Sequence, residues 1–187
     1  HDYANGIDDS PVLAEPEAAK GYSISTTLEE DVVKAEQAHR VLLALTDSVT
    51  ARMRADGVKA YCVAVSIRSN DFKTRSHQRK LYDPTDISSE VYQLCKQLFA
   101  ELWDGHTPLR LIGVALTDLT KEEPAQISLF PDEKKERSRK LDAAYDAIHK
   151  KFGASAIQRG SSLQSKLDVG KKYKAQMEVS DDPNRKK

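Results

Sequence analysis

The sequence has no run approaching the roughly 18 consecutive apolar residues of a membrane-spanning helix, and its first thirty residues contain no apolar signal core. A soluble, cytoplasmic protein with no membrane partner is the expectation. Cysteine is scarce: Cys62 and Cys95 are the only two, far apart and outside any Cys-x-x-Cys pattern. That argues against a disulfide framework or a zinc site, and both thiols are expected to be reduced and partly buried. Aromatic residues make up only 6% of the chain and charged residues 31%, so a core can form but much of the chain stays wet.

Catalytic signatures are also missing. No Gly-x-x-x-x-Gly-Lys phosphate loop occurs. His1, His39, His77, His106 and His149 lack metal-ligand spacing, and no Ser or Cys has a nucleophile's sequence context. Asp8-Asp9 lies in a turn-rich stretch, and Glu29-Glu30-Asp31 suits the positive end of a helix better than a metal. Neither catalytic residues nor a metal site are expected within this chain.

What is there is a segregated charge distribution. The 187 residues carry 29 basic and 29 acidic side chains, so the formal net charge is zero. Residues 1–33 nonetheless sum to −7, residues 34–131 to +1 and residues 132–187 to +6. Within the balanced middle, Arg68, Lys73, Arg75, Arg79 and Lys80 face only Asp71, a local +4 suited to a polyanion or to protecting an edge strand.

The apolar periodicity yields a fold. Residues 1–21 are rich in turn formers and acids and read as a linker. Tyr22 to Leu28 reads as a strand, and Ala38, Val41, Leu42, Leu45, Val49 and Met53 mark a helix over 32–55 that stops at Asp56-Gly57. Residues 60–69 alternate as a strand, with Tyr61, Val63, Val65 and Ile67 on one face and Cys62, Ala64, Ser66 and Arg68 on the other. Residues 72–80 continue as its hairpin partner, with Lys73, Arg75, His77 and Arg79 on a basic outer surface, until Asp83-Pro84 breaks it. A second helix over 88–103 and a strand over 109–119 follow. This order predicts an α+β, ferredoxin-like βαββαβ domain over 22–119, a four-stranded antiparallel sheet with two helices on one face and the other face free. Residues 120–131 read as a linker carrying the apolar island Gln126-Ile-Ser-Leu-Phe130. A C-terminal helical extension spans 132–167, with Leu141, Ala144, Tyr145, Ile148 and Phe152 in one stripe, and a polar, lysine-rich tail without periodicity covers 168–187.

Several stretches, in order, resemble the C-terminal part of bacterial Y-family DNA polymerases of the DNA polymerase IV type. Tyr3-Ala-Asn-Gly-Ile-Asp8 is similar to the end of the thumb domain, and Ser25-Thr-Thr-Leu-Glu-Glu-Asp31 to the start of the little finger domain. Arg68-Ser-Asn-Asp-Phe-Lys-Thr74 is similar to that domain's central hairpin, and Leu111-Ile-Gly-Val114 to its last strand. Gln126-Ile-Ser-Leu-Phe130 is similar to the pentapeptide that enters the bacterial sliding clamp. Beginning at His1 rather than Met, the chain reads as a piece of such a polymerase. Residues 1–21 would then end the thumb and lead to the little finger.

The resemblance implies a DNA-binding and clamp-tethering region of a translesion DNA polymerase, a DNA repair enzyme. Its partners would be template-primer duplex, the sliding clamp and the remaining palm, fingers and thumb. The palm would hold the carboxylates for two Mg²⁺ ions, so this fragment should need no cofactor and be inactive alone, while the parent uses Mg²⁺. Phosphate contacts by a protein that slides over any sequence call for cations and hydroxyl donors at strand spacing. The candidates are Ser25, Thr26, Thr27, Arg68, Ser69, Lys73, Thr74, Arg75, Ser76, Arg79 and Lys80. About half of them should touch DNA, because a one-residue slip of register exchanges the faces. His77-Gln78 departs from the polar pair expected in the hairpin. For the clamp the candidates are Gln126, Ile127, Ser128, Leu129 and Phe130, with Pro124 and Pro131 favouring an extended peptide. An RNA-binding module of RRM-like topology is the alternative and would need stacking aromatics on its third strand. A small-molecule regulatory domain of the same topology would need a pocket.

Overall fold

Alternation of buried and exposed residues builds a four-stranded antiparallel sheet. The computed structural model describes residues 3–7, 18–121 and 132–153, with 156, 157, 159 and 160. Its strands are β1 (Gly21–Val32), β2 (Lys59–Ser69), β3 (Thr74–Thr85) and β4 (Leu109–Thr120), and its helices α1 (Ala35–Ala55), α2 (Ser88–Leu102) and α3 (Glu133–Phe152). A short 3₁₀ turn, Tyr3–Asn5, precedes them. Across the sheet the order is β1-β4-β2-β3, so each helix connects strands that flank a third. The expected α+β, βαββαβ fold with a C-terminal helix is what the chain forms.

Both crossovers leave their helices on one face. α1 packs over β1 and β4, and α2 over β2 and β3. The apolar stripe of α1, from Ala38 through Leu42 and Leu45 to Met53, is fully buried. It meets Val91, Cys95, Leu98 and Phe99 of α2 and the inward residues Val63, Val65, Ile112, Val114 and Leu116 of the central strands. Each such side chain contributes roughly 1.5–3 kcal/mol through burial. Burial also pushes the Cys95 thiol up to about 12, so it stays protonated.

Three details differ from the sequence reading, and each has a local cause. β1 continues through Glu29, Glu30 and Asp31 to Val32, so these acids extend a strand and α1 begins only at Ala35. β1 is an edge strand, its carboxylates stay in water, and a register shift between Thr27 and Val32 lets Leu28 and Val32 both reach the core. Likewise, Asp83-Pro84 does not end β3, which runs to Thr85. Proline is tolerated on an edge strand, here beside the register shift opposite Ala60 and Cys62.

The third difference concerns α3. Leu141 and Phe152 of its apolar stripe are 61% and 65% exposed, whereas Asp142 is buried at 4%. The helix docks through charge. The Arg54 guanidinium, near the end of α1, donates to both carboxylate oxygens of Asp146 at 2.7 and 3.0 Å and lies 3.5 Å from Asp142. Asp142 in turn accepts the Ser88 amide at 2.8 Å, supplying from another element the side-chain cap that Ile87, at the N-terminus of α2, does not provide. Arg159 bonds Asp47 at 2.8 Å, and Arg139 pairs with Asp86 at 3.3 Å. Burial works against the Arg54 charge, but its bonds to Asp146 and the fields of Asp142 and Asp86 outweigh it, so the guanidinium is held more firmly protonated than usual. Removing Arg54 would take the bidentate partner from Asp146 and leave the buried Asp142 carboxylate with only the Ser88 amide and Arg159 at 3.6 Å, so Arg54→Ala should lower stability by about 3 kcal/mol in chemical denaturation. It should also expose α3 to protease at concentrations that leave the parent chain intact.

Candidate nucleic-acid interface

The helices cover one face of the sheet, and the other lies open. Register fixes what that face carries. Antiparallel partners project to the same side, so four rows cross the sheet: Thr27–Leu111–Arg68–Thr74, Ser25–Gly113–Ser66–Ser76, Ser23–Ala115–Ala64–Gln78 and Gly21–Thr117–Cys62–Lys80. Most of these residues are small or hydroxylated. A shallow hollow runs over Ser23, Ser25, Ser66, Ser76 and Gly113 at the centre. No side-chain hydrogen bond joins the hydroxyls of Ser23, Ser25, Thr27, Ser66 or Ser76 to another described residue. Gly113 is required by proximity: a Cβ there would sit 2.6 Å from the Ser66 hydroxyl oxygen and 3.0 Å from the Ser25 Cβ.

The expected site residues separate on this geometry. Ser25, Thr27, Arg68, Thr74, Ser76 and Lys80 share the open face. Thr26 points the other way and is 8% exposed. Arg75 and Arg79 pair with the inward Ile67 and Val63, so they project toward the helix layer, with His77 between them. There Arg79 binds Glu101 at 2.5 Å and Gln97 at 2.9 Å, and His77 lies 3.5 Å from Glu101. The expected basic outer surface of Lys73, Arg75, His77 and Arg79 is therefore corrected: apart from the turn residue Lys73, this alternate set lies on the helix side of an edge strand. The cations of the open face are Arg68, whose Nε donates to Thr74 at 2.9 Å, and Lys80, paired with Asp118 at 2.6 Å.

Ser69 and Lys73 lie in the hairpin tip. The Ser69 hydroxyl donates to Asp71 and sits 3.1 Å from the Lys73 carbonyl, and the Lys73 ammonium reaches Asp71 at 2.8 Å. Hydrogen bonds from Lys73 and Ser69 hold the Asp71 carboxyl down at about 2. Gln126, Ile127, Ser128, Leu129 and Phe130 lie outside the described residues.

Sequence reasoning placed Ser66 on the small, polar face of β2 but missed Ser23, Gly113, Thr117 and Gln78 as its neighbours on the open face. Those neighbours depend on pairing between strands, which alternation within β2 does not show. Tyr82, 91% exposed and two residues beyond Lys80, was also missed. Among the described residues no group of three or more His, Cys, Asp or Glu is placed to hold a metal ion, and no helix is long and apolar enough to cross a membrane.

Residues 19–129 match the family profile described as the impB/mucB/samB family C-terminal domain. The chain belongs to the impB/mucB/samB family. It is 34% identical over 87% of its length to a protein of Clostridium acetobutylicum named DNA polymerase IV, covering 41% of that protein. It is 37% identical over 86% of its length to DNA polymerase IV 2 of Bacillus subtilis, covering 39% of it. The chain thus spans about two fifths of the length of these relatives. A solved complex of the β-clamp processivity factor and the little finger domain of PolIV shows 17% identity and a TM-score of 0.44, covering 59% of this chain and 99% of that one. The profile match and the named relatives establish the family resemblance read from the residues, and residues 19–129 correspond to the family's C-terminal domain.

Two measurements follow from this geometry. Gly113→Ala should cost roughly 1–3 kcal/mol in thermal unfolding, because the added methyl displaces Ser66 or Ser25, while far-UV circular dichroism stays unchanged. A carboxyl lowered by folding stabilises above its unfolded pKa of about 3.9 and loses that contribution as pH falls through the folded value. The amide NMR shifts of Asn70–Lys73 should accordingly hold from neutral pH to about 4 and move as pH falls through about 2.

Proposed function

We propose that this chain is the duplex-holding and clamp-tethering region of a translesion DNA polymerase, with the open sheet face lying along the sugar-phosphate backbone. The observation that carries the reading is the Ser25–Gly113–Ser66–Ser76 row, stripped of bulk and lined with hydroxyls. A face of this kind lets phosphates approach closely, offers them hydroxyl donors and reads no base, as a protein that slides along DNA requires. Arg68 and Lys80 supply the long-range attraction. Relatives named DNA polymerase IV support the same assignment.

Template-primer DNA, the sliding clamp and the rest of the polymerase are the proposed partners. Gln126 to Phe130 is the proposed clamp peptide: Leu129 and Phe130 fill a pocket and the Gln126 amide orients the strand. Nucleotidyl transfer belongs to the whole polymerase. Magnesium does not fit the described residues, which bring no carboxylates together in the required cluster. An RNA module of RRM type is less well supported, since none of the four rows carries an aromatic ring on which bases could stack and the exposed Tyr82 of β3 lies beyond them.

Duplex affinity measured by fluorescence anisotropy across a salt series tests the main reading. Arg68→Ala should weaken binding uniformly across sequences and lower the logarithmic salt slope by about 1. Arg79→Ala, which loses a contact to the helix layer, should leave the slope unchanged. Equal slopes for Arg68→Ala and the parent would refute this use of the open face. For the clamp, calorimetry should show binding that disappears in the Leu129→Ala, Phe130→Ala double variant.

A further inference from the structure

The β2–β3 hairpin tip has two irregularities that meet at one point. Phe72 has a φ of 64°, in the left-handed region where a bulky side chain is strained and glycine or asparagine would fit at less cost. The residue is 67% exposed, so core packing does not account for an aromatic there. Arg110 is skipped by both neighbours of β4: Leu111 pairs with Thr27 and Arg68, whereas Leu109 pairs with Val32 and Ser69. Such a bulge re-aims a side chain, and the Arg110 guanidinium lies 5.2 Å from the centre of the Phe72 ring.

The surroundings hold this arrangement in place. The Phe72 amide donates to the Ser69 carbonyl at 3.0 Å, the Asn70 amide to the Pro108 carbonyl at 3.1 Å, and the Ser69 amide to the Lys73 carbonyl at 3.0 Å. Backbone strain persists where the surroundings over-determine it, and it concentrates at binding sites. The tip adjoins the Thr27–Leu111–Arg68–Thr74 row at one end of the open face.

We infer that Phe72 and Arg110 form a stacking platform for an unpaired nucleobase where duplex DNA on the open face gives way to single strand. An aromatic ring beside a guanidinium stacks any base regardless of sequence, and Lys73, next to Phe72 in the chain and paired with Asp71, is the cation nearest in sequence for a flanking phosphate. This rests on the duplex reading proposed above.

Fluorescence anisotropy of the full chain on a blunt duplex, and on the same duplex with a short single-stranded extension, tests the inference. The parent chain should bind the extended DNA about tenfold more tightly. Phe72→Trp should keep that gain. Phe72→Gly, which relieves the left-handed strain, should abolish it while leaving blunt-duplex affinity unchanged and the melting temperature no lower. If the gain survives in Phe72→Gly, or if the parent binds blunt duplex and gains nothing from the extension, the platform is overturned alone. A parent chain that binds neither DNA overturns the duplex reading and the platform with it.

Discussion

The pairing register of β2 decides the chemistry of the domain. This strand sits between β4 and β3, and its alternation is opposed to both neighbours without slip from Cys62 to Arg68. Val63, Val65 and Ile67 thereby meet Leu116, Val114 and Ile112 on the inner side and close the core under α1 and α2. The same pairing forces Ala64, Ser66 and Arg68 to the other side, where they extend into rows with β1, β4 and β3. A shift by one residue would exchange the two sets, putting valines in water and serines against helices. Core stability and the composition of the open face are therefore one constraint, and the face needs no separate scaffold.

Departures from regular pairing fall where the centre of the sheet does not enforce it. The shift in β1 lets a strand carrying three consecutive acids still seat Leu28 and Val32, and the shift in β3 admits Pro84. Both are edge strands, so neither irregularity costs the sheet a central ladder. The bulge at Arg110 differs, because it lies on a central strand. It falls at that strand's end, beside the hairpin tip, where continuity of pairing matters least and direction of the side chain matters most.

These distinctions explain what could be read from the sequence. The βαββαβ order, the stripes of α1 and α2 and the small polar face of β2 were legible because each depends on periodicity within one element. The hairpin residues facing the helices were not. Arg75, His77 and Arg79 look like a basic outer stripe in isolation, and only pairing with Ile67, Val65 and Val63 assigns them inward. Gly113 gave no local sign of its role either, since its importance lies in the distance to Ser66 and Ser25 on two other strands. The contact mode of α3 was hidden for a related reason. Its apolar stripe suggested burial, but its partners were the Arg54 guanidinium and the α2 N-terminus, which sequence periodicity does not reveal.

Charge docking of α3 bears on how the two sides of the domain can work independently. The helix meets the domain at Arg54 on α1, Asp86 and the Ser88 amide, all on the helix side of the sheet, so its attachment does not occupy the open face. An apolar seam would have tied α3 into the same core that fixes the strand register. Directional bonds to a few charged groups instead set its position while leaving the core unchanged. On the proposed reading, a hydroxyl-lined face with two principal cations holds duplex only weakly, and affinity for the replicating end must come largely from a tether. The covalent path to residues 126–130 runs from the end of β4, at a central strand of the sheet, and α3 follows that peptide directly. Because α3 is anchored on the helix side, its docking and the proposed binding of duplex to the open face do not compete for the same surface.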